Sequence, residues 1–412
     1  VSSGSVRPRV DGGPGRLGGV SSRPMAMAAS ADGPAPPLGV CESMCPAEEV
    51  EERLRWDDFH PLERRHPGPA HVRLGVKDLA VKKFRRNIEA GDRAPRRLRT
   101  RQCLARTVEH LVALLDLRRG EEDVFEEGTG PSAASSSSGA ISEADQLEWT
   151  HEFLWDRLRG VRTDLTIQRL LASPESIRIH EHCVRYHIVA SYELAERKAT
   201  VANPHGFDPA LNREQLMKSL QTLLSIYAHF YAAGEGGDGG ICSNEAEFRA
   251  YDLLLGLDAF KLTRMPGRVL RSKEVAFAVE AQECLRTGNW SRWFKLLRRA
   301  TYLQACLLSG HVTGMRQRAL RILCSKVFGP SARPFAIGDL SGALCWPERD
   351  VRRWAETAEP EAVTEDKAAL LLAGHSSPLR ECPLDTEEKR CEAISAKKAK
   401  QTFSQVIFAR TT

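Results

Sequence analysis

The chain has 412 residues, enough for two or three domains and a sizeable core. Apolar residues make up 42% and charged residues 27%, an ordinary globular balance, and no apolar run approaches the roughly 18 residues that cross a bilayer. The formal net charge is only +5, so any surface for a polyanion has to be local. The eleven cysteines are scattered, odd in number and preceded by no secretory apolar segment. That pattern points to a reducing compartment and buried free thiols.

Residues 1–40 are rich in Gly, Ser, Pro and Arg and predict a disordered leader. The same Arg/Ser-rich composition also occurs in organelle transit peptides. Residues 41–118 open on "CESMCPAEEVEERLR" and lead into the first helices. In "LARTVEHLVALLDL", Leu104, Val108, Leu111, Val112 and Leu115 recur on one helical face. Residues 119–142 are acidic, then Ser/Gly-rich, and predict a flexible insert.

Residues 143–328 read as successive helices. One runs from about Glu143 to Ala172 and ends at Ser173-Pro174. The next, near 175–197, is apolar on two sides: Ile177, Val184, Ile188 and Leu194 on one stripe, Cys183, Tyr186 and Ala190 on another. Such a helix lies between other helices. "NREQLMKSLQTLLSIYAHFY" carries Leu216, Leu220, Leu223, Leu224, Tyr227 and Tyr231 at helical spacing, with Asn212 as expected N-cap and Gln215 completing a capping box. The glycines of 234–240 predict a loop, and Ser243 is the expected cap of the helix after it. Many helix pairs in a row indicate an α-solenoid, although no fixed repeat period is visible. The fold class is therefore all-α dominated. Residues 329–412 change character: two short helices, then strands over "AALLLAG" and "KKAKQTFSQVIFA". That order suits a winged-helix cap.

Two clusters invite a metal reading. Cys41 and Cys45 could be joined by His60 and His66, and His180, Cys183 and His187 share a helix face. Neither shows the second close ligand pair of a structural zinc site, so buried thiols and core histidines are the preferred readings, with no metal and no cofactor. Motifs for nucleophilic, phosphate-binding or metalloprotease chemistry are absent from the sequence, which argues against an enzyme. Asp156 and Asp164, within "DRLRGVRTDLT", read as ion-pair partners of neighbouring arginines and not as an acid/base couple.

Charge is the more informative signal. Arg286, Arg292, Lys295, Arg298, Arg299, Arg316, Arg318, Arg321 and Lys326 occur with no Asp or Glu between the first and last of them. In "NWSRWFKLLRRATYL", Trp290, Trp293, Phe294 and Leu297 define an inward face, with most of the cations opposite. A one-sided basic surface of this kind is the footprint of a phosphate backbone. An acidic protein, or solvent alone, would suit the same face. Arg352 and Arg353 of the following module join the candidate nucleic-acid set. Residues 73–101 form a second basic stretch, with eleven Lys/Arg against Asp78, Glu89 and Asp92. Its "KKFRR" and "RAPRRLRTR" suggest phosphate contacts, a nuclear localisation signal or an ordinary exposed face.

Several segments together resemble the suppressor-of-actin/GANP domain family: "GVCESMCPAEEVEERLR", "VKKFRR", "FLWDRLRGVRTDLTIQ", "VRYHIVASYEL", "LNREQLMKSLQTLLSIY" and "NEAEFRAYDLLL". They occur in family order over roughly residues 39–260. The later "ATYLQACLLSGHVTGMRQRAL" and "KKAKQTF" are most similar to the short plant-type C members. The resemblance implies a helical PCI-like solenoid capped by a winged helix, and a scaffold in nuclear mRNA export at or near the pore. It implies a PCI-type protein partner, a small acidic DSS-type partner and RNA, with no membrane insertion. The Cys-x3-Cys-Pro opening is then the start of a segment laid against the scaffold. "AEEVEER" departs from the family's usual glutamate-arginine pair. No Phe-Gly repeats precede the domain and no long C-terminal helix follows it, so centrin binding is not expected. A centrosome or spindle role of the same family is the alternative.

Overall fold

The computed structural model describes residues 35–64, 75–117, 143–197, 206–235, 240–323, 333–358, 369–372 and 390–409. Pro36–Thr412 form one compact unit. The chain begins with α1 (Ala47–Arg55), α2 (Val76–Leu79) and α3 (Arg101–Ala113). The stack continues with α4 (Glu143–Ile167), α5 (Pro174–Glu193), α6 (Pro209–Ala232) and α7 (Glu245–Leu255), then the short α8 (Ala259–Thr263) and α9 (Gly267–Leu270). Next come α10 (Lys273–Thr287), α11 (Trp290–Arg299), α12 (Tyr302–Leu308) and α13 (Val312–Leu323). The chain closes with β1 (Arg333–Ala336), α14 (Ile337–Leu344), α15 (Glu348–Ala358), β2 (Ala369–Leu372), α16 (Glu392–Ser395) and α17 (Phe403–Phe408). The all-α expectation holds.

Helix α5 is the axis of the stack. It packs against α3, α4, α6, α12 and α17, and Ile177, Val184, Tyr186, Ile188 and Ala190 are all buried. The two apolar stripes in its sequence thus reflect neighbours on both sides. Ser173 caps it by accepting from Ser176 N, and Pro174 occupies the first turn. For α6 the start lies earlier than expected. Asp208 is the N-cap, accepting from Ala210 N and Leu211 N, and Pro209 follows. Asn212 is inside the helix and buried, where its amide bridges to His187. Tyr231 is also off the core face at 50% exposed, and Ile226 and Phe230 are buried instead. Similarly, α7 starts after Asn244, not Ser243.

The N-terminal segment lies across α3 and α4. Gly39 N donates to Gln168 Oε1 (2.8 Å), Val40 N to Pro95 O (3.0 Å) and Cys41 N to Leu98 O (3.1 Å). Order therefore extends into the last residues of the expected leader; residues 1–34 lie outside the described set, as does the 119–142 insert. The Cys-x3-Cys opening is a hydrogen-bonded turn in which Cys41 Sγ and Cys103 Sγ each donate to Ser43 O (3.2 Å). Burial pushes the Cys45 thiol well above its ordinary range, with Glu49 adding to the shift.

In the tail, β1 and β2 pair antiparallel from Arg333↔Leu372 to Ala336↔Ala369 and bracket α14 and α15. The expected strand at "AALLLAG" is β2. The expected strand over "KKAKQTFSQVIFA" is helical instead. Thr402 and Gln405 form a capping box, and Phe403, Val406 and Ile407 are buried at helical spacing. A third strand is not among the described residues. Residues 390–409 run back across the stack as a strap. Tyr192 OH donates to Cys391 O (3.0 Å), Arg185 Nη1 donates to Ile407 O (3.3 Å), and Thr402 Oγ1 donates to Asp116 Oδ2 (2.8 Å).

Candidate nucleic-acid interface

Helix α11 carries the surface. Gly288 ends α10 in the left-handed region at φ 72°, which any Cβ disfavours. Asn289 then caps α11 by accepting from Arg292 N (3.1 Å). Trp293, Phe294, Leu296 and Leu297 are buried, and the Trp293 and Phe294 rings meet edge to face at 5.0 Å. Trp290, expected inward, is only half-buried. Arg292, Lys295, Arg298 and Arg299 are exposed, as the periodicity required.

The nine cations do not behave alike. Arg286 pairs with Glu283 (2.7 Å) and Arg292 with Glu280 (2.5 Å). Both acids lie just before the acid-free run, so the window itself hid them. Arg316 is buried: its guanidinium donates to Leu344 O (3.3 Å) and Cys345 O and lies over the Trp346 ring. Burial lowers its pKa, and its role is to hold α13 to the end of α14. Arg298 donates to Gly342 O (2.7 Å), yet stays exposed and meets no carboxylate among the described residues. Lys295, Arg299, Arg318 and Arg321 are exposed with no acidic partner there either. Lys326 lies outside the described residues. The structure thus leaves Lys295, Arg298 and Arg299 on α11, and Arg318 and Arg321 on the α13 packed against it, as net positive surface.

Two further results redraw the site. On α15, Arg352 lies 3.9 Å from Glu348 and Arg353 4.0 Å from Asp350, so this helix offers alternating charge, not a basic face. The strap adds a cation absent from the candidate set. Lys397 Nζ donates to Arg298 O and Ala300 O (2.8 Å each), where the exposed carbonyls of α11 carry partial negative charge. Its clustering with Lys398 and Lys400 in "KKAKQTF" was the available signal.

Much of the second basic stretch pairs within the fold, while Lys77, Arg86, Arg93 and Arg101 are exposed with no carboxylate partner among the described residues and Arg73 lies outside them. Lys82 Nζ and Arg99 Nε reach the Asp164 carboxylate, each at 2.8 Å, and Asp164 is 1% exposed. Arg97 pairs with Glu48 (2.7 Å), as does Arg96, while Lys83 pairs with Asp58 (2.5 Å). Asp164 therefore does pair, but with residues distant in sequence. Asp156 bonds its helix neighbour Arg157 and also accepts from Phe84 N (3.1 Å). Carboxylates from α1 and from the turn at Pro61–Arg64 serve the same strand-like stretch: Lys83 N donates to Glu49 Oε1 and Val81 N to Glu63 Oε1, both at 2.8 Å. Arg53 and Arg157 hold the Glu63 carboxyl below its ordinary range against the opposing effect of burial.

The histidine cluster is core. His180 Nδ1 lies 2.7 Å from Ser176 O and His187 Nδ1 2.7 Å from Asn212 Oδ1. Burial lowers their pKa values to about 4 and about 3, so both rings are neutral.

A model of the SAC3/GANP family matches residues 44–359. The chain belongs to the SAC3/GANP family. Similar SAC3/GANP relatives include SAC3 family protein B of Arabidopsis thaliana, 31% identical over 77% of this chain and 17% of that protein. Protein xmas of Drosophila melanogaster is 28% identical over 71% of this chain and 13% of its own length. SAC3 family protein 1 of Schizosaccharomyces pombe is 28% identical over 74% and 28%. This chain thus spans less than a third of these curated SAC3/GANP relatives. The matched region begins at the end of the N-terminal turn and takes in α1 to α15.

Proposed function

We propose that this chain is a non-enzymatic scaffold subunit of nuclear mRNA export. It holds a PCI-type subunit and a small acidic DSS-type protein, and it contacts RNA through the α11–α13 face. The module of β1, α14, α15 and β2 acts as a winged-helix cap whose base is that face. The reading rests on one observation: five exposed cations without a described carboxylate partner, on two helices packed together, in a SAC3/GANP chain. Binding of this kind needs no catalytic group. It draws on counterion release along a phosphate backbone.

Single-stranded RNA titrated at several salt concentrations tests the reading. With about five phosphates engaged, log K falls against log salt with a slope of about −3.5. Reversing Arg299 and Arg321 to Glu lowers the affinity and flattens the slope, while leaving the fold intact, because neither side chain has a described packing role. Arg298 is unsuitable for this test because it also ties α11 to Gly342. A slope near zero for the parent chain with its PCI-type partner present removes RNA from the function.

A further inference from the structure

The nine described cysteines are all free, and Cys345 alone among them is not buried. It occupies an unusual place. Cys345 ends α14 in the left-handed region, φ 49° and ψ 48°, where glycine or asparagine is the inexpensive residue. Across the joint, Cys391 begins α16 and the strap. Its Sγ donates to the Cys345 carbonyl at 3.7 Å. Both thiols face cations: Arg298 Nη1 lies 3.4 Å from Cys345 Sγ, and Arg316 Nη2 lies 3.6 Å from Cys391 Sγ. The Lys397 ammonium also feels both sulfurs. Burial raises the pKa of the Cys345 thiol, and the Arg298 guanidinium beside its sulfur works against that rise.

We propose that Cys345 and Cys391 are a disulfide modification site, closed by a low-molecular-weight disulfide of the glutathione type. The Cys345 thiolate attacks one sulfur of glutathione disulfide. That S–S bond breaks, and one glutathione leaves as a thiolate and takes up a proton. The Cys391 thiolate then attacks the Cys345 sulfur and displaces the second glutathione. The two protein thiols give up two electrons and two protons in all, and glutathione disulfide is reduced to two glutathiones. The order follows from access, since Cys345 meets solvent and Cys391 is 6% exposed. Closure fastens the β1–α14–α15–β2 module to the strap at a point where Arg298 now shares its donor with the Cys345 sulfur.

The test is peptide mapping of the folded full chain under non-reducing conditions after incubation with glutathione disulfide. The expected product is a linked Cys345–Cys391 peptide and a loss of two thiols per chain. Cys391→Ser stops at a glutathione adduct on Cys345, and Cys345→Ser leaves Cys391 unmodified. The linked chain melts at a higher temperature than the reduced chain, and the gain disappears in Cys345→Ser. An adduct that persists on Cys345 in the parent chain overturns the proposal, as does a first adduct on Cys391. So does the absence of any linked peptide. The parent-chain mapping stands even where a variant folds poorly, and none of these outcomes depends on RNA binding.

Discussion

Asp164 shows how much one side chain can carry. Two cations from the N-terminal segment converge on it in a region that excludes water. Asp164→Asn leaves Lys82 and Arg99 buried without an anion, and the expected cost is about 3–5 kcal/mol. Denaturant unfolding of the variant measures it. The core imidazoles, with half-buried His151 beside them, make a different demand. His151 and His180 have pKa values lowered to about 4 and His187 to about 3, in each case chiefly by burial. Their unfolded forms titrate near 6.5, so below that pH the unfolded chain binds more protons. Their contribution to stability is complete above pH 6.5 and is lost as pH falls through that value toward 3. Denaturation midpoints measured from pH 7 to pH 5 are expected to fall, and His187→Gln is expected to shallow the decline. The buried pairing of Asp164 was not readable from its neighbours, because helix spacing offers local arginines while the fold supplies distant ones. The histidines were readable as core, since a lone apolar helix face needs no ligand to explain it.

At the scale of elements, the clearest case is α1 and residues 80–99. The charged run of α1 and the basic stretch lie well apart in the sequence. In the structure Glu48 takes Arg96 and Arg97 and Glu52 takes Arg85, while carboxylates of Glu49, Glu63 and Asp156, drawn from three different elements, accept the backbone N–H groups of Lys83, Val81 and Phe84. Close approach is part of the same arrangement. A Cβ at Gly39 would lie 2.3 Å from Leu98 O, a backbone atom that cannot swing aside. Gly39→Ala is therefore expected to destabilise the segment by about 1–3 kcal/mol. Hydrogen exchange should show faster loss at the Cys41 and Thr100 amides, with α5 unchanged. Helix α17 teaches the converse. Its capping box and its Phe403, Val406 and Ile407 spacing were present in the sequence, but the expectation of a second tail strand, drawn from the winged-helix order, outweighed them.

For the whole molecule, the strap is the element with the widest reach. It touches α5 and α12, contributes Lys397 at the end of α11, and caps α17 against Asp116 near the end of α3. Removing residues 390–412 uncovers Tyr192 and the α5 surface that α17 covers. The shortened chain is expected to bind an apolar dye and to be cut faster by protease than the full chain. Unchanged dye binding would show that the stack closes without the strap.

Helix content, the inward face of α11 and the double-sided burial of α5 follow from periodicity, because a 3.6-residue repeat of apolar side chains allows few other solutions. Family membership was likewise written in six ordered motifs. Which cations remain at the surface was not, since charge along a chain says nothing of the carboxylates that folding brings beside it. Arg316 went to the interior, Arg286 and Arg292 found glutamates, and Lys397 arrived from about a hundred residues away because a strap crosses the stack. Periodicity is a local property, whereas neutralisation is a property of neighbours in space, and only the packed chain chooses those.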